Sequence, residues 1–412
     1  MKVLHIGSTT KGGAGLGMMR LHHDLKAVGV DSKVLCLRKD SDDPAVFGFL
    51  DEINPARRRI RRPVRSILRR LHLYQDPVIR ADAMVRHLRQ GPAAWGVSSP
   101  FSRHRVDASP LVQEADVIHL HWVAGFLDWP SFFRNVKKPI VWTIRDENPA
   151  LGFWHFRSYM PPELSKRELH EEKWLVERKR SAVRACRKLA VVSLSSELDR
   201  FIASSPVFNG RFHAAIPNSI DGGMFYRHDR EALRRSLGWN HSTKVMLFVS
   251  QFLDDPRKGL NDLLAAIQRL KRPDIALLCI GNGTVPSGSV PIQAIPLVSN
   301  TDRLSALYSA ADLFVTPSYA ESFGKTTTEA LACGTPVVSY PNSGALDIIG
   351  PGDGVLAKDF KPEALAEAIS SALGRQFDPD ALRQRVLERF SPNRVATAYL
   401  DVYQKMLDLI PS

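Results

Sequence analysis

Residues 311–340 read ADLFVTPSYAESFGKTTTEALACGTPVVSY. An apolar run ends in a turn signal at Thr316–Pro317–Ser318, and a second apolar run, TPVVSY, closes the stretch. Between them, Glu321 and Glu329 are separated by seven residues that include a glycine and three threonines. On one continuous helix the two carboxylates would sit about 80° apart in projection and about 12 Å apart along the axis, too far to share a proton. The flanks predict strand, loop, short helix and strand instead. Gly324 then lies in the turn, Lys325 or one of Thr326, Thr327 and Thr328 opens the helix, and Gly334 closes it. Glu321 falls outside the helix mouth and Glu329 about one turn inside. The first free backbone N–H groups converge between them, a site suited to phosphate. Carboxylates on either side are good acceptors for sugar hydroxyls. The plainer reading is a surface helix with solvated glutamates.

Working outward, the same alternation recurs. KVLHIG begins the chain as a strand, followed by the glycine-rich loop STTKGGAGLG, the helical stretch MMRLHHDLKAVGV and the strand SKVLCL. Further strands are expected at ADVIHLHW, PIVWTI and LAVVSL, and in the second half at KVMLFVS and IALLCIG, with a helix at GLNDLLAAIQRL between the last two. This pattern predicts an α/β protein of two Rossmann-like, doubly wound domains. A chain of 412 residues with 44% hydrophobic content also exceeds what one core usually organises. The join is expected near AAIPNSIDGGMF, giving domains at 1–215 and 216–390. A closing helix over 391–412, with Ser391 as cap, Pro392 in the first turn and Val395, Tyr399, Val402 and Met406 on one face, is expected to pack back on the N-terminal domain.

The four cysteines, Cys36, Cys186, Cys279 and Cys333, form no close pair, which argues against a disulfide framework or structural zinc and for a reducing compartment. No secretory signal and no run of about eighteen apolar residues is read. The formal net charge of +13 is concentrated in a basic segment, 55–72, where eight arginines fall between Arg57 and Arg70. Pro63 suits a first helical position, and Val64, Ile67, Leu68 and Leu71 then share a face. Such a helix suits an anionic membrane surface. Its alternative is a stripe packed on its own domain. No nucleic-acid module is found, and the aromatics are not interleaved with the basic residues. The glycines at 12, 13, 15 and 17 lack dinucleotide spacing, and Asp31 precedes the second strand where an NAD-binding acidic residue should end it.

ESFGKTTTEALACGTPVVSY with PNSGALDII, VSQFLDDPRKGL, CIGNG, IPNSID and the KGGAG loop, in this order and spacing, resemble the retaining nucleotide-sugar glycosyltransferases of the GT-B type, family 4 (glycosyl transferases group 1), in their bacterial surface-polysaccharide branch. The resemblance covers nearly the whole chain and is strongest over 245–345. It implies two domains facing each other across a cleft, the C-terminal one holding the nucleotide sugar. Glu329 would bind the donor ribose and Glu321 the donor sugar. Phe323, Gly324 and Lys325 would approach sugar and pyrophosphate. Lys258 would neutralise the leaving diphosphate, and Gly12 and Gly13 would let backbone approach the phosphates. His121 matches a histidine that faces the reaction centre in many relatives; its alternative is a structural histidine at a strand end.

Three departures from the family pattern stand out. Ser250 and Gln251 replace a usual glycine and arginine, making Arg257 the candidate second cation. Arg145 replaces a histidine before Asp146, so its expected role is electrostatic or in acceptor binding, with an ion pair to Asp146 or Glu147 as the alternative. GFWH around Phe153 and Trp154 replaces a glycine pair and cysteines. The implied reaction is transfer from a UDP- or GDP-linked sugar, in preference to an ADP-linked one, to a lipid-linked saccharide. It proceeds with retention and without metal or cofactor, at the cytoplasmic face of the plasma membrane. The alternatives are a non-catalytic nucleotide-sugar-binding subunit and an epimerase of the same fold.

Overall fold

The computed structural model describes residues 1–52, 76–90 and 96–409; the basic stretch Arg57–Arg70 lies outside them. The chain divides into two compact units. One comprises Met1–Leu194, Leu198–Ile216 and Ala396–Ser412, the other Ser195–Glu197 and Pro217–Val395.

Among the described residues, the first unit carries a seven-stranded sheet in the order β3-β2-β1-β4-β5-β6-β7. Its strands are β1 (Lys2–Ile6), β2 (Asp31–Cys36), β3 (Val46–Gly48), β4 (Val117–Leu120), β5 (Ile140–Ile144), β6 (Leu189–Ser193) and β7 (Phe212–Ala215). Every pairing is parallel. Strands β4, β5 and β6 are buried at every position, which is why they read as unbroken apolar runs: helices cover both faces of a parallel sheet. The helix after β1 spans Gly12–Ala27, so it begins earlier than the sequence predicts and takes in most of the glycine-rich loop. The reason is close packing: a Cβ at Gly15 would lie 2.7 Å from the Thr9 carbonyl oxygen.

The second unit has a six-stranded sheet ordered β10-β9-β8-β11-β12-β13 among the described residues. These strands are β8 (Lys244–Phe252), β9 (Ile275–Asn282), β10 (Ile292–Ile295), β11 (Leu313–Thr316), β12 (Val337–Ser339) and β13 (Gly354–Leu356). They too are all parallel. Each sheet therefore reverses its winding once, between β1 and β4 in the first unit and between β8 and β11 in the second. The carboxyl ends of strands at such a reversal form the crevice where open α/β sheets bind ligands.

The last helix, Pro392–Asp408, carries Val395, Tyr399, Val402 and Met406 on its buried face. From Ala396 onward it belongs to the first unit. Apolar burial of this kind contributes about 1.5–3 kcal/mol per large side chain, and two phenols add direction. Tyr403 meets His119 Nδ1 at 2.6 Å, and Tyr399 meets Thr143 Oγ1 at 2.9 Å. No helix among the described residues is long and apolar enough to cross a membrane.

Candidate active site

In the second unit, the chain leaves β11 at Thr316, turns, and enters the helix Lys325–Ala332. Gly324 caps this helix at φ +93, a left-handed conformation open to glycine. Gly324 offers no side-chain cap, and the Thr327 N–H donates to the Gly324 carbonyl at 3.0 Å. At the other end Gly334 takes φ +77, and the Thr335 N–H returns to the Ala330 carbonyl at 2.9 Å, a left-handed stop.

The loop between strand and helix is held from two sides. Asn342 Nδ2 donates to the Ser318 carbonyl at 2.9 Å, and Ser343 Oγ donates to the Glu321 carbonyl at 2.8 Å. The Gly344 N–H reaches the same Glu321 oxygen at 3.1 Å. From the β8 side, Arg257 Nη1 donates to the Ala320 carbonyl at 2.6 Å, and the Tyr319 N–H donates to the Arg257 carbonyl at 2.9 Å. Arg257, expected as a second diphosphate cation, is thus engaged with the loop itself and with Asp255 at 3.2 Å. Ser250 turns its hydroxyl back to the Phe252 carbonyl, and Gln251 is exposed.

This scaffold brings Lys258 Nζ within 2.5 Å of Glu321 Oε1, with Arg257 Nη1 at 3.6 Å from the same oxygen. Burial raises the Glu321 carboxyl, but Lys258 and Arg257 more than offset it and hold it below the usual carboxylate range. Burial and the neighbouring Arg257 charge push the Lys258 ammonium down, with Glu321 opposing. Glu329, in the helix, is buried and accepts from the Tyr308 hydroxyl at 3.3 Å. Phe323 is buried, and Lys325 is the first helical residue. The second unit therefore gathers an uncapped helix N-terminus, an ammonium and two carboxylates, groups suited to an anion flanked by hydroxyls.

The first unit gathers the other expected residues. Gly12 opens its helix at φ +67, whereas a Cβ on Gly13 would meet nothing within 4 Å. His121 follows β4 and Arg145 follows β5. Arg145 Nη2 donates to His121 Nδ1 at 3.1 Å, which leaves the His121 proton on Nε2, 2.8 Å from His5 Nδ1. Both ring nitrogens of His121 are thus engaged inside the unit. Burial, reinforced by the neighbouring histidines and Arg145, keeps His5, His119 and His121 well below the ordinary histidine range. Burial brings Arg145 down to about 10, with Tyr399 pulling the other way, so the guanidinium remains charged at neutral pH.

Beside this pair lies a pocket lined by His121, Trp122, Trp129, Arg145, Asp146 and His155, among others. Asp146 accepts from Trp122 Nε1 at 2.9 Å and contacts His155 Nδ1. Glu147 takes the Arg157 guanidinium at 2.8 Å. Behind the wall, fully buried Lys179 reaches the carbonyls of Asn148, Leu151 and Gly152 at 2.6, 2.8 and 2.6 Å. Sequence reading did not single out Trp122, His155 or Lys179. Asp146 and His155 lie nine positions apart in irregular backbone, so no helical or strand period pairs them.

Residues 229–389 match the family model described as Glycosyl transferases group 1. This part of the second unit is thus similar to group 1 glycosyltransferases. The chain is 33% identical over 216 residues to a D-inositol 3-phosphate glycosyltransferase of Segniliparus rotundus, covering 46% of this chain and 47% of that one. It is 29% identical over 354 residues to the Geodermatophilus obscurus protein of the same name, covering 77% and 75%. The first match therefore spans about half the length of the relative. Anabaena Alr3699/HepE in complex with UDP-glucose shares the fold with a TM-score of 0.63 at 16% identity, over 98% of this chain and 100% of that one. The two parallel-sheet α/β domains match the GT-B fold of such neighbours.

Proposed function

We propose that this chain is a retaining glycosyltransferase that moves a sugar from a nucleoside diphosphate to an acceptor hydroxyl. The observation that carries the reading is the Lys258–Glu321 pair at the mouth of the uncapped Lys325–Ala332 helix, with Glu329 buried behind it. A departing diphosphate leaves positive character on the sugar carbon and negative charge on its own oxygens. Fixed cations and helix N–H groups stabilise that separation without reorganising. Lys258 and the amides after Gly324 take the phosphate charge, Glu321 the sugar hydroxyls and Glu329 the ribose. Arg257 braces the loop. The acceptor oxygen attacks from the face the diphosphate leaves and passes its proton to the departing diphosphate oxygen, and no step uses a metal.

The acceptor belongs to the first unit. In its pocket, Asp146 steadies His155 through Nδ1, leaving Nε2 as the ring nitrogen that can meet a hydroxyl. The relatives' name points to a phosphorylated acceptor, which the Arg145 guanidinium on the pocket wall would favour and the Asp146 carboxylate beside it would oppose. With those two charges offsetting each other the wall selects no anion, and a saccharide hydroxyl at His155 fits it. We assign that saccharide to a lipid-linked chain in surface-polysaccharide assembly, with a UDP- or GDP-linked donor. The arginines of 57–70 would rest the enzyme on the cytoplasmic face of the membrane. Glutamine at Arg57, Arg58, Arg59, Arg61 and Arg62 should release it from anionic vesicles, and unchanged binding would refute that role.

The deciding experiment incubates the protein with candidate donors and membrane lipid extract and follows nucleoside diphosphate release together with sugar on lipid. Donor binding without transfer would favour the binding-subunit reading. Donor turnover without acceptor would favour an epimerase, and a glycosylated Glu321 found by mass spectrometry would replace front-side attack with a covalent route.

A further inference from the structure

Two groups of metal-ligating side chains converge among the described residues, His5 with His119 and His121, and His22 with His23 and Asp43. The first is closed to an ion. His119 gives one nitrogen to Tyr403 and the other to Thr143, at 2.6 and 2.7 Å. His121 is engaged at both nitrogens, one of them with the Arg145 cation at 3.1 Å.

The second group differs. His22 lies on the Gly12–Ala27 helix, 0% exposed, with Nδ1 2.7 Å from Ser32 Oγ on β2. Its Nε2 is buried with no hydrogen-bond partner, yet it points at Asp43 Oδ2, 3.5 Å away. His23 Nε2 lies 3.1 Å from the same oxygen. Neighbouring helical residues diverge by about 100°, but here the rings lean together, with centroids 5.2 Å apart. Asp43 is held in place through its other oxygen, which accepts from the Ala45 N–H at 2.8 Å and lies 3.9 Å from Lys26 Nζ.

We propose that His22 Nε2, His23 Nε2 and Asp43 Oδ2 form a site for one divalent first-row transition ion of the zinc type, with water as fourth ligand. Bonds of about 2.0–2.2 Å place the ligand atoms of a tetrahedral ion about 3.3 Å apart, and the measured 3.1 and 3.5 Å straddle that separation. In the bound form His22 donates Nδ1–H to Ser32 Oγ and turns the Nε2 lone pair to the ion. Outer-sphere bonds of this kind, one on His22 and one on Asp43, typically fix ligand orientation in metal sites. Two imidazoles with one carboxylate suit zinc, cobalt or nickel and not magnesium or calcium. The ion would act as a clamp. Asp43 shares its loop with Asp40, which accepts from Thr10 Oγ1 and pairs with Lys11 at 3.7 Å. Fixing Asp43 therefore steadies the turn that leads into Gly12, and it does so outside the reacting groups.

Titration of the full chain with Co2+, followed by visible absorption and by equilibrium dialysis, tests this. One ion per chain with the intense bands of tetrahedral cobalt, displaced by Zn2+ and not by Mg2+, is expected. His23→Ala, whose ring is 57% exposed and whose loss should not disturb folding, should weaken binding at least about tenfold, and Asp43→Asn similarly. His241→Ala, at an exposed histidine of the second unit, should bind like wild type. No saturable binding, or equal binding by wild type and His23→Ala with circular dichroism unchanged, would overturn the assignment. If Asp43→Asn fails to fold, His23→Ala alone decides.

Discussion

Replacing Gly344 by alanine would place a methyl carbon 2.0 Å from the Phe323 carbonyl oxygen and 2.9 Å from Phe323 Cα. Real Cβ contacts start near 3.0 Å, so the Phe323 backbone must retreat by about 1 Å. Neither partner can yield alone. The Gly344 N–H and Ser343 Oγ both grip the Glu321 carbonyl, so the displaced segment is the one that carries Glu321 and leads into Gly324. Overpacking of this size costs about 1–3 kcal/mol of stability. A 1 Å error in a group that positions substrate costs about a hundredfold in rate. Gly344→Ala should therefore stay folded while kcat/KM for the donor falls about a hundredfold. Initial rates of nucleoside diphosphate release, with urea unfolding as the companion measurement, read both quantities. A folded Gly344→Ala with activity within about threefold of wild type would refute the claim that this loop positions the chemistry.

Lys258→Met should lower kcat by about 10²–10³, the usual effect of removing one preorganised charge stabiliser, with a smaller change in donor affinity; an unchanged kcat would remove Lys258 from the mechanism. Gly13→Ala has open space around its Cβ and sits in a helix, so it should gain up to about 1 kcal/mol of stability. If ligand phosphate approaches that backbone, the same variant should weaken donor binding, and unweakened binding would remove Gly13 from the donor site. Burial, opposed by Glu172 and Asp146, brings the Lys179 ammonium down to about 7, below its unfolded value of about 10.4. Between those values the unfolded chain holds more protons, so stability attributable to Lys179 rises with pH and the full penalty stands below about pH 7. From about pH 7.5 to 9 the stability difference between wild type and Lys179→Met should move by about 2 kcal/mol in favour of wild type. No movement would show that the surrounding carbonyls keep the ammonium charged.

The architecture was legible where burial leaves a continuous trace. Strands β1, β4, β5, β6, β8, β9 and β11 are apolar runs because helices cover them, and 311–340 declared its strand, turn and helix through Pro317, Gly324 and Gly334. The edge strands β3, β7, β10 and β13 were not legible. Each spans three or four residues and most are only half-buried, too short to show a period. Reading the glycines near residue 12 as a loop failed because close helix packing also selects glycine. The site divided in the same way. Glu321 and Glu329 share one local element, so their relation followed from spacing. The meeting of Asp146, His155 and Trp122, or of His119 and Tyr403 across 284 positions, depends on register and chain return, which local sequence does not encode.

The central claim is that the second unit grips a nucleotide sugar through Glu329 and its neighbours. Calorimetric titration of wild type and Glu329→Gln with UDP-, GDP- and ADP-linked sugars tests it most directly. One donor class should bind wild type at one per chain, and the variant, having lost a charged acceptor, should bind it at least about tenfold more weakly. Binding of that donor by Glu329→Gln as tightly as by wild type, or binding of no nucleotide sugar by the wild type, would contradict the account.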